Sequence, residues 1–423
     1  VSHNRALPSA PLLRIPTRLV LYAACLGSFV LFLTACDDDP SGVGVGVGDD
    51  PLDGGEPVTV QLPPTTLDFE RRAPVTGGVG PASPERFFTG RVEDPLVGPT
   101  EANGFLNLFQ PTNIPSSILE DPLTDVSLQL APISVYGDTT EAVTLALYDM
   151  PAPWEGDGAR SDTTLTSGDQ IMTFELDPTE EEVSVPLPSE WIEANQDVLR
   201  DTTDEGESFI DSFPGFRIAP SEGNAAVGFN RNDTRLRVAT STDTTNFNGR
   251  ISLTTIDRDP PENLPDDRAL VQGGVEQTLV FTYDFESPPL DTLRGTPVNR
   301  AEFVLPVDTD LLESETPEGF VRPTPSGYQL TGTSTDGEQT VTLADDVSVT
   351  DGVLRITGDA PIQIFEEGFL RTSAFSEFVL TPSTTSDGEA NELSLDVALF
   401  HQLPLDADAV DEGPRATVTV TPF

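Results

Sequence analysis

From residue 57 onward the chain is a succession of short runs in which apolar and polar residues alternate, each closed by Pro, Gly, Asp or Ser. A period of two places successive side chains on opposite faces of an extended backbone, so each run can bury one face and wet the other as a β-strand. The runs include VTVQL at 58–62, FLNLF at 105–109, VSLQLAPISV at 126–135, VTLALYDM at 143–150, MTFEL at 172–176 and VSVPL at 183–187. RLRVAT at 235–240, RISLTTI at 250–256, LVFTYDF at 279–285, AEFVLPV at 301–307, VLRITG at 353–358, LSLDVALF at 393–400 and ATVTVTP at 416–422 continue the pattern. One segment reads as a short helix, with Ser189 as N-cap and Trp191, Ala194, Val198 and Leu199 on one face. The expected fold is mainly β, built as β-sandwich or jelly-roll layers of antiparallel strands.

The segment IDRDPPENLPDDR at 256–268 holds four Asp, one Glu and three Pro, which suit neither a strand ladder nor a helix interior. It divides the folded part into an N-terminal β-sandwich at 57–257, a linker at 258–268 and a C-terminal β-sandwich at 269–423. Leu106 precedes Val126 by 20 residues and Leu279 precedes Ala301 by 22. That is the spacing of an internal repeat, and also one that sandwich strands share by default.

The N-terminus has a different pattern. Residues 1–18 hold Arg5, Arg14 and Arg18 with no acid, and residues 19–33 are an unbroken apolar run of 15. A membrane-spanning helix needs about 20 apolar residues, and this run ends at Leu33-Thr34-Ala35-Cys36 before Asp37, Asp38 and Asp39. A basic start, a short apolar stretch and small residues at its end make a secretory signal, expected over 1–35. Leu33-Thr34-Ala35-Cys36 resembles the bacterial lipobox, which implies cleavage after Ala35 and acylation of Cys36. Two or three acyl chains anchor a protein firmly, where one binds marginally. Residues 36–56 alternate Gly with Val and carry several Asp, the composition of a flexible tether. No strand precedes these glycines, so a phosphate-binding loop is not expected.

Charge narrows the partners. The 423 residues hold 71 Asp and Glu against 22 Arg and no Lys, a net charge of −49 that leaves no basic face for nucleic acid. Loss of residues 1–35 removes three Arg and no acid, which takes the charge to −52. Carboxylates in this excess hold water and tolerate crowding where salt screens them, which points to a saline habitat. No D-x-[DN]-x-[DN]-G loop is present; Asp406, Asp408 and Asp411 come nearest and lack its glycine.

Catalytic machinery is scarce. After cleavage the chain would keep one His, His401, read as a solvent-facing residue at a strand end, and one Cys, so neither a zinc site nor an intrachain disulfide is expected. No G-x-S-x-G elbow accompanies His401. Carboxylate pairs for glycoside hydrolysis are too numerous to single one out. Trp154, in PAPWEG, is the candidate for an exposed ring that stacks on sugar, the other reading being a Trp that plugs its loop onto the sandwich. The expectation is a non-enzymatic envelope protein without cofactor or metal, structural, adhesive or ligand-presenting. A glycan-binding accessory lipoprotein and an envelope hydrolase are the alternatives. Its partners would be the membrane through the anchor, and an envelope protein or glycan.

A wider resemblance rests on the order of several pieces: the lipobox Cys followed by acids, FFTGRVEDPLVG at 87–98, DVSLQLAPISVYGDTT at 125–140 followed by VTLALYDM, FIDSFPGFRIAP at 209–220, TRLRVAT at 234–240, LVQGGVEQTLVF at 270–281 and VNRAEFVLPVD at 298–308. In this order they resemble a Bacteroidota family of outer-membrane or surface lipoproteins of unknown function. The resemblance implies a lipid-anchored β protein, the family supplying no catalytic residues, with the acidic run after Cys36 similar to a surface-export signal. In enterobacterial lipoproteins an Asp in that place instead retains the protein at the inner membrane.

Overall fold

The computed structural model describes residues 56–71, 77–78, 85–156, 159–201, 209–259, 261, 263–275, 277–334, 340–370, 375–383, 393–401 and 413–422. Gly55–Phe423 forms one compact unit. The fold is mainly β, in antiparallel sheets packed face to face as sandwiches.

The N-terminal half is dominated by one large branched sheet. Its main path runs Val183–Pro186, Asp125–Leu130, Arg235–Ala239, Thr244–Arg258, Gly98–Phe109, Arg86–Asp94, Ala225–Asn230, Pro132–Asp138 and Phe320–Val321. A branch leaves Gly98–Phe109 through Phe216–Glu222 to Val143–Asp149 and Gln170–Leu176. The inward residues, among them Phe87, Leu106, Leu128, Leu147, Phe216 and Phe247, form one buried cluster. Gly90 lies where two strands cross closely: at φ +139° a Cβ would stand 2.1 Å from the Ala225 carbonyl oxygen, so only glycine lets the backbones approach.

Two sheets build the C-terminal half. One has the order Val58–Leu62, Arg415–Val420, Val298–Pro306, Val353–Ile356, Val349–Thr350. The other has the order Thr340–Val347, Tyr328–Ser334, Phe375–Pro382, Gln277–Thr282, Arg268–Gln272, Val397–His401, with Thr66–Arg71 also on Gln277–Thr282. Between them lies a second core containing Phe281, Phe303, Phe378 and Val418. The helix Asp359–Leu370 closes it with Ile364, Phe365 and Phe369. Gly368 lets the Phe285 ring lie against that helix, since a Cβ there would stand 2.3 Å from the ring.

Several expectations are corrected. Residues 58–71 do not belong to the N-terminal sandwich: Val58 pairs with Val420 and Leu67 with Phe281, so both strands complete the C-terminal sheets. Pairing partners lie hundreds of positions away, and strand alternation does not encode them. The helix at 189 begins as expected, but Pro188 is its N-cap and Ser189 its first helical residue, with no side-chain cap. Trp191 and Leu199 are buried and Ala194 is exposed. The fold also contains more than one helix, Asp359–Leu370 being as long as Ser189–Arg200. The strand Thr244–Arg258 ends where the Pro- and Asp-rich segment begins, and the next strand starts at Arg268.

A third buried cluster joins the two halves. Phe88, Val92, Leu96 and Tyr136 from the first meet Leu270, Phe320, Val397 and Leu399 from the second. Phe320–Val321 extends the N-terminal sheet by pairing with Asp138 and Gly137.

Candidate functional site

The polar chemistry of the fold concentrates at this junction. Asp94 ends the strand Arg86–Asp94, and the turn that follows folds back so that the backbone N–H groups of Leu96 and Val97 donate to its Oδ1 at 2.8 and 2.9 Å. The Tyr136 hydroxyl donates to Oδ2 at 2.8 Å. Arg322, just past the short strand Phe320–Val321, donates Nε to Oδ2 at 2.7 Å and Nη2 to Oδ1 at 2.8 Å. The pair is sealed, with Asp94 0% and Arg322 2% exposed. The remaining Arg322 donors reach the Leu312 carbonyl at 2.5 Å, the Thr316 hydroxyl at 2.6 Å and the Glu315 carbonyl at 3.2 Å.

Burial alone would push the Asp94 carboxyl up, but the Arg322 hydrogen bonds and charge and the two turn N–H groups outweigh it and hold it below the usual carboxylate range. Burial, and then the Asp94 charge, push the Tyr136 hydroxyl far above its ordinary value, so it stays a donor. Every acceptor site of Asp94 is engaged, and such a carboxylate is a structural clamp. Asp94 also borders a cleft of about 640 Å³ that is lined further by Glu93, Pro95, Pro99, Asp259 and Asn263. Its walls are tied by the Asn263 amide to the Pro95 carbonyl at 3.1 Å and by the Asp259 N–H to the Pro99 carbonyl at 3.2 Å. Among the described residues no group of three or more His, Cys, Asp and Glu side chains is arranged to hold a metal ion.

Leu33, Thr34, Ala35, Cys36, Asp37, Asp38 and Asp39 lie outside the described residues, as do Asp406, Asp408 and Asp411. Trp154 is not the exposed ring a sugar would need. It is 6% exposed, meets Phe105 edge-on at 6.2 Å and donates its indole N–H to the Pro214 carbonyl at 2.8 Å. The loop folds inward because Phe105, Ile251 and Leu253 offer the ring an apolar seat. His401 is also less open than expected. It is half-buried opposite Arg268, with Nε2 4.0 Å from Asp308 Oδ2. Asp308 caps the helix Thr309–Ser314 and accepts from Arg268 Nε at 2.6 Å. Asp149 accepts the Trp191 indole N–H at 2.8 Å. Its carboxyl is raised, first by burial and then by the nearby Asp169 charge, against the lowering effect of Trp191.

The junction triad of Asp94, Tyr136 and Arg322 has no signature in the local sequence. Asp94 and Tyr136 lie within the quoted segments 87–98 and 125–140, but nothing local to them points to Arg322.

No protein-family model matches the chain, and no curated protein matches it. Among solved structures it aligns with a candidate secreted protein of Parabacteroides distasonis at 8% identity, covering 85% of this chain and 99% of that one, with a TM-score of 0.22. It also aligns with the VP2 subviral particle of infectious bursal disease virus at 11% identity, covering 89% of this chain and 78% of that one, with a TM-score of 0.14. Neither superposition is close enough to carry an argument about function.

Proposed function

We propose that the protein is a lipid-anchored component of the cell envelope, held at the outer membrane by acylated Cys36 and acting without catalysis in a structural, adhesive or ligand-presenting role. The observation that carries this reading is the succession at the N-terminus: three Arg and no acid, 15 apolar residues, then Leu33-Thr34-Ala35-Cys36 against Asp37. A chain that kept the apolar run would have too short a span for a bilayer. Cleavage and acylation turn the same run into an address and an anchor. Among the described side chains Asp94 is engaged by Arg322, Asp308 by Arg268 and Asp149 by Trp191.

The test is metabolic labelling with an alkyne fatty acid, followed by intact-mass analysis of the membrane-extracted protein. The expected product begins at Cys36 with its lipid, and Cys36→Ala abolishes the label. An unlabelled protein that keeps residues 1–35 and stays in the cytoplasm would overturn the reading.

A further inference from the structure

A second cavity, which shares Leu312 with the surroundings of the junction clamp, has the features of a binding site. It lies between the helix Thr309–Ser314, the strand Val397–His401 and the start of the strand Tyr328–Ser334, and holds about 170 Å³. Its walls are mostly apolar, with Val307, Leu312, Pro325, Val349 and Ala398, and Thr309, Glu313 and Thr324 add polar edges. An apolar cavity of about 150 Å³ is large enough to take benzene. Tyr328 lines this one while only 2% exposed, and its hydroxyl makes no hydrogen bond to a described residue. With no protein acceptor, that hydroxyl is left to donate to water or to an acceptor on a ligand.

The chemistry at the cavity selects the ligand. The Tyr328 ring is packed in a T-shaped arrangement with Phe400, the centroids 5.7 Å apart. Burial and the Asp396 charge keep its hydroxyl protonated, so it offers a hydrogen and not a negative charge. Glu313 lines the same cavity and Asp396 acts on the same hydroxyl, so a carboxylate or phosphate would meet repulsion.

We propose that this cavity binds a small neutral molecule whose apolar body is about one ring in size and which carries a hydrogen-bond acceptor for the Tyr328 hydroxyl. An aromatic or alicyclic ketone or ester fits these terms. The site goes beyond the envelope reading and does not depend on the lipid anchor, so either can fail without the other.

The experiment is ligand-observed saturation-transfer NMR on the full chain, with acetophenone as probe and benzoate as its charged counterpart. Acetophenone is expected to bind saturably and benzoate to give no saturable signal. Tyr328→Phe, which removes only the hydroxyl, should weaken acetophenone about three- to tenfold, the value of one hydrogen bond. Val349→Phe, at the partly exposed rim, should abolish binding by filling the space. Thermal melts establish that each variant is folded, and if Val349→Phe is not, Tyr328→Phe alone decides. No saturable binding to the native chain, or equal affinity in folded Tyr328→Phe, overturns the proposal.

Discussion

Arg322 and Asp94, 228 positions apart in the chain, meet in a two-point pair at 2.7 and 2.8 Å that water does not reach. The strand that ends in Asp94 belongs to the N-terminal sheet, and Arg322 arrives from the C-terminal half on the segment that adds Phe320–Val321 to that same sheet. Two buried charges are costly unless every donor and acceptor is engaged. Here the Tyr136 hydroxyl and the Leu96 and Val97 N–H groups complete the set. Arg322→Met should therefore cost about 3–5 kcal/mol by leaving Asp94 buried and unpaired. Tyr136→Phe removes one hydrogen bond to a charge and should cost about 1.5–3 kcal/mol. Urea unfolding followed by Trp fluorescence measures both. An Arg322→Met/Asp94→Leu double variant should be less damaged than the summed single changes, and strict additivity would show that the pair is not coupled.

The same pair sets the acid limb of the stability curve. Asp94 and Asp308 both have carboxyls lowered in the fold, burial being outweighed in each by Arg hydrogen bonds and charge. A lowered carboxyl contributes stability in full above its unfolded value, about 3.9, and loses it as pH falls through the folded value. Unfolding midpoints should drop steeply below about pH 4, and less steeply in Arg322→Met. Asp149 runs the other way, since its carboxyl is raised and its penalty is complete only above the folded value. Asp149→Asn keeps an acceptor for Trp191, so it should stabilise the protein at pH 7, with the gain shrinking as pH falls. A gain that is constant with pH would mean that charge is not its cause.

Trp154 should matter to stability and not to sugar. Its ring is packed on Phe105 and its N–H is spent on Pro214, so Trp154→Ala should cost about 3–5 kcal/mol through the cavity it leaves. On a glycan array the folded variant should behave as the native chain does. Glycan binding that is present in the native chain and lost in a fully folded Trp154→Ala would restore the stacking role.

These residues show what local sequence carries and what it does not. The alternation of VTVQL and ATVTVTP marks both segments as strands, and both appear, as Val58–Leu62 and Arg415–Val420. That they are neighbours, with Thr59 opposite Thr419, is a long-range register that no local pattern contains. The helix Asp359–Leu370 escaped notice because PIQIFEEGFL presents a nearly continuous apolar stretch broken by two acids, in which helical and strand periods are hard to separate. Tryptophan in a Pro-flanked loop reads as exposed until the apolar seat formed by Phe105, Ile251 and Leu253 is known. Tyr328 had no signal of its own, because an unpartnered hydroxyl is a property of the packing around it.

A net charge of −49 makes screening a component of stability. Melting temperatures of the full chain should rise as KCl is raised from about 0.05 to 2 M, the range over which the Debye length falls below the spacing of surface charges. Sulfate strengthens apolar burial in any protein, so chloride is the salt that isolates screening. A flat melting temperature across this range would remove the saline-habitat reading.

The last prediction concerns which way the protein faces. An acidic run directly after Cys36 resembles a surface-export signal, whereas Asp37 alone resembles an inner-membrane retention signal. The tether between Cys36 and the first strand would reach roughly 25 Å as a coil of about 20 residues. Arg71 is a poor protease target for testing this, because it ends a strand paired with Gln277. Asp49, Asp50 and Asp53 precede the first strand, and residues 36–56 contain no Arg, so a protease that cuts at Asp addresses the tether directly where trypsin does not. Added to intact cells, it should release a folded fragment that begins near Asp50 and retains the strand Val58–Leu62 paired with Arg415–Val420. Survival on intact cells, with the same cut appearing once the outer membrane is opened, would place the protein in the periplasm and leave the anchor unchanged.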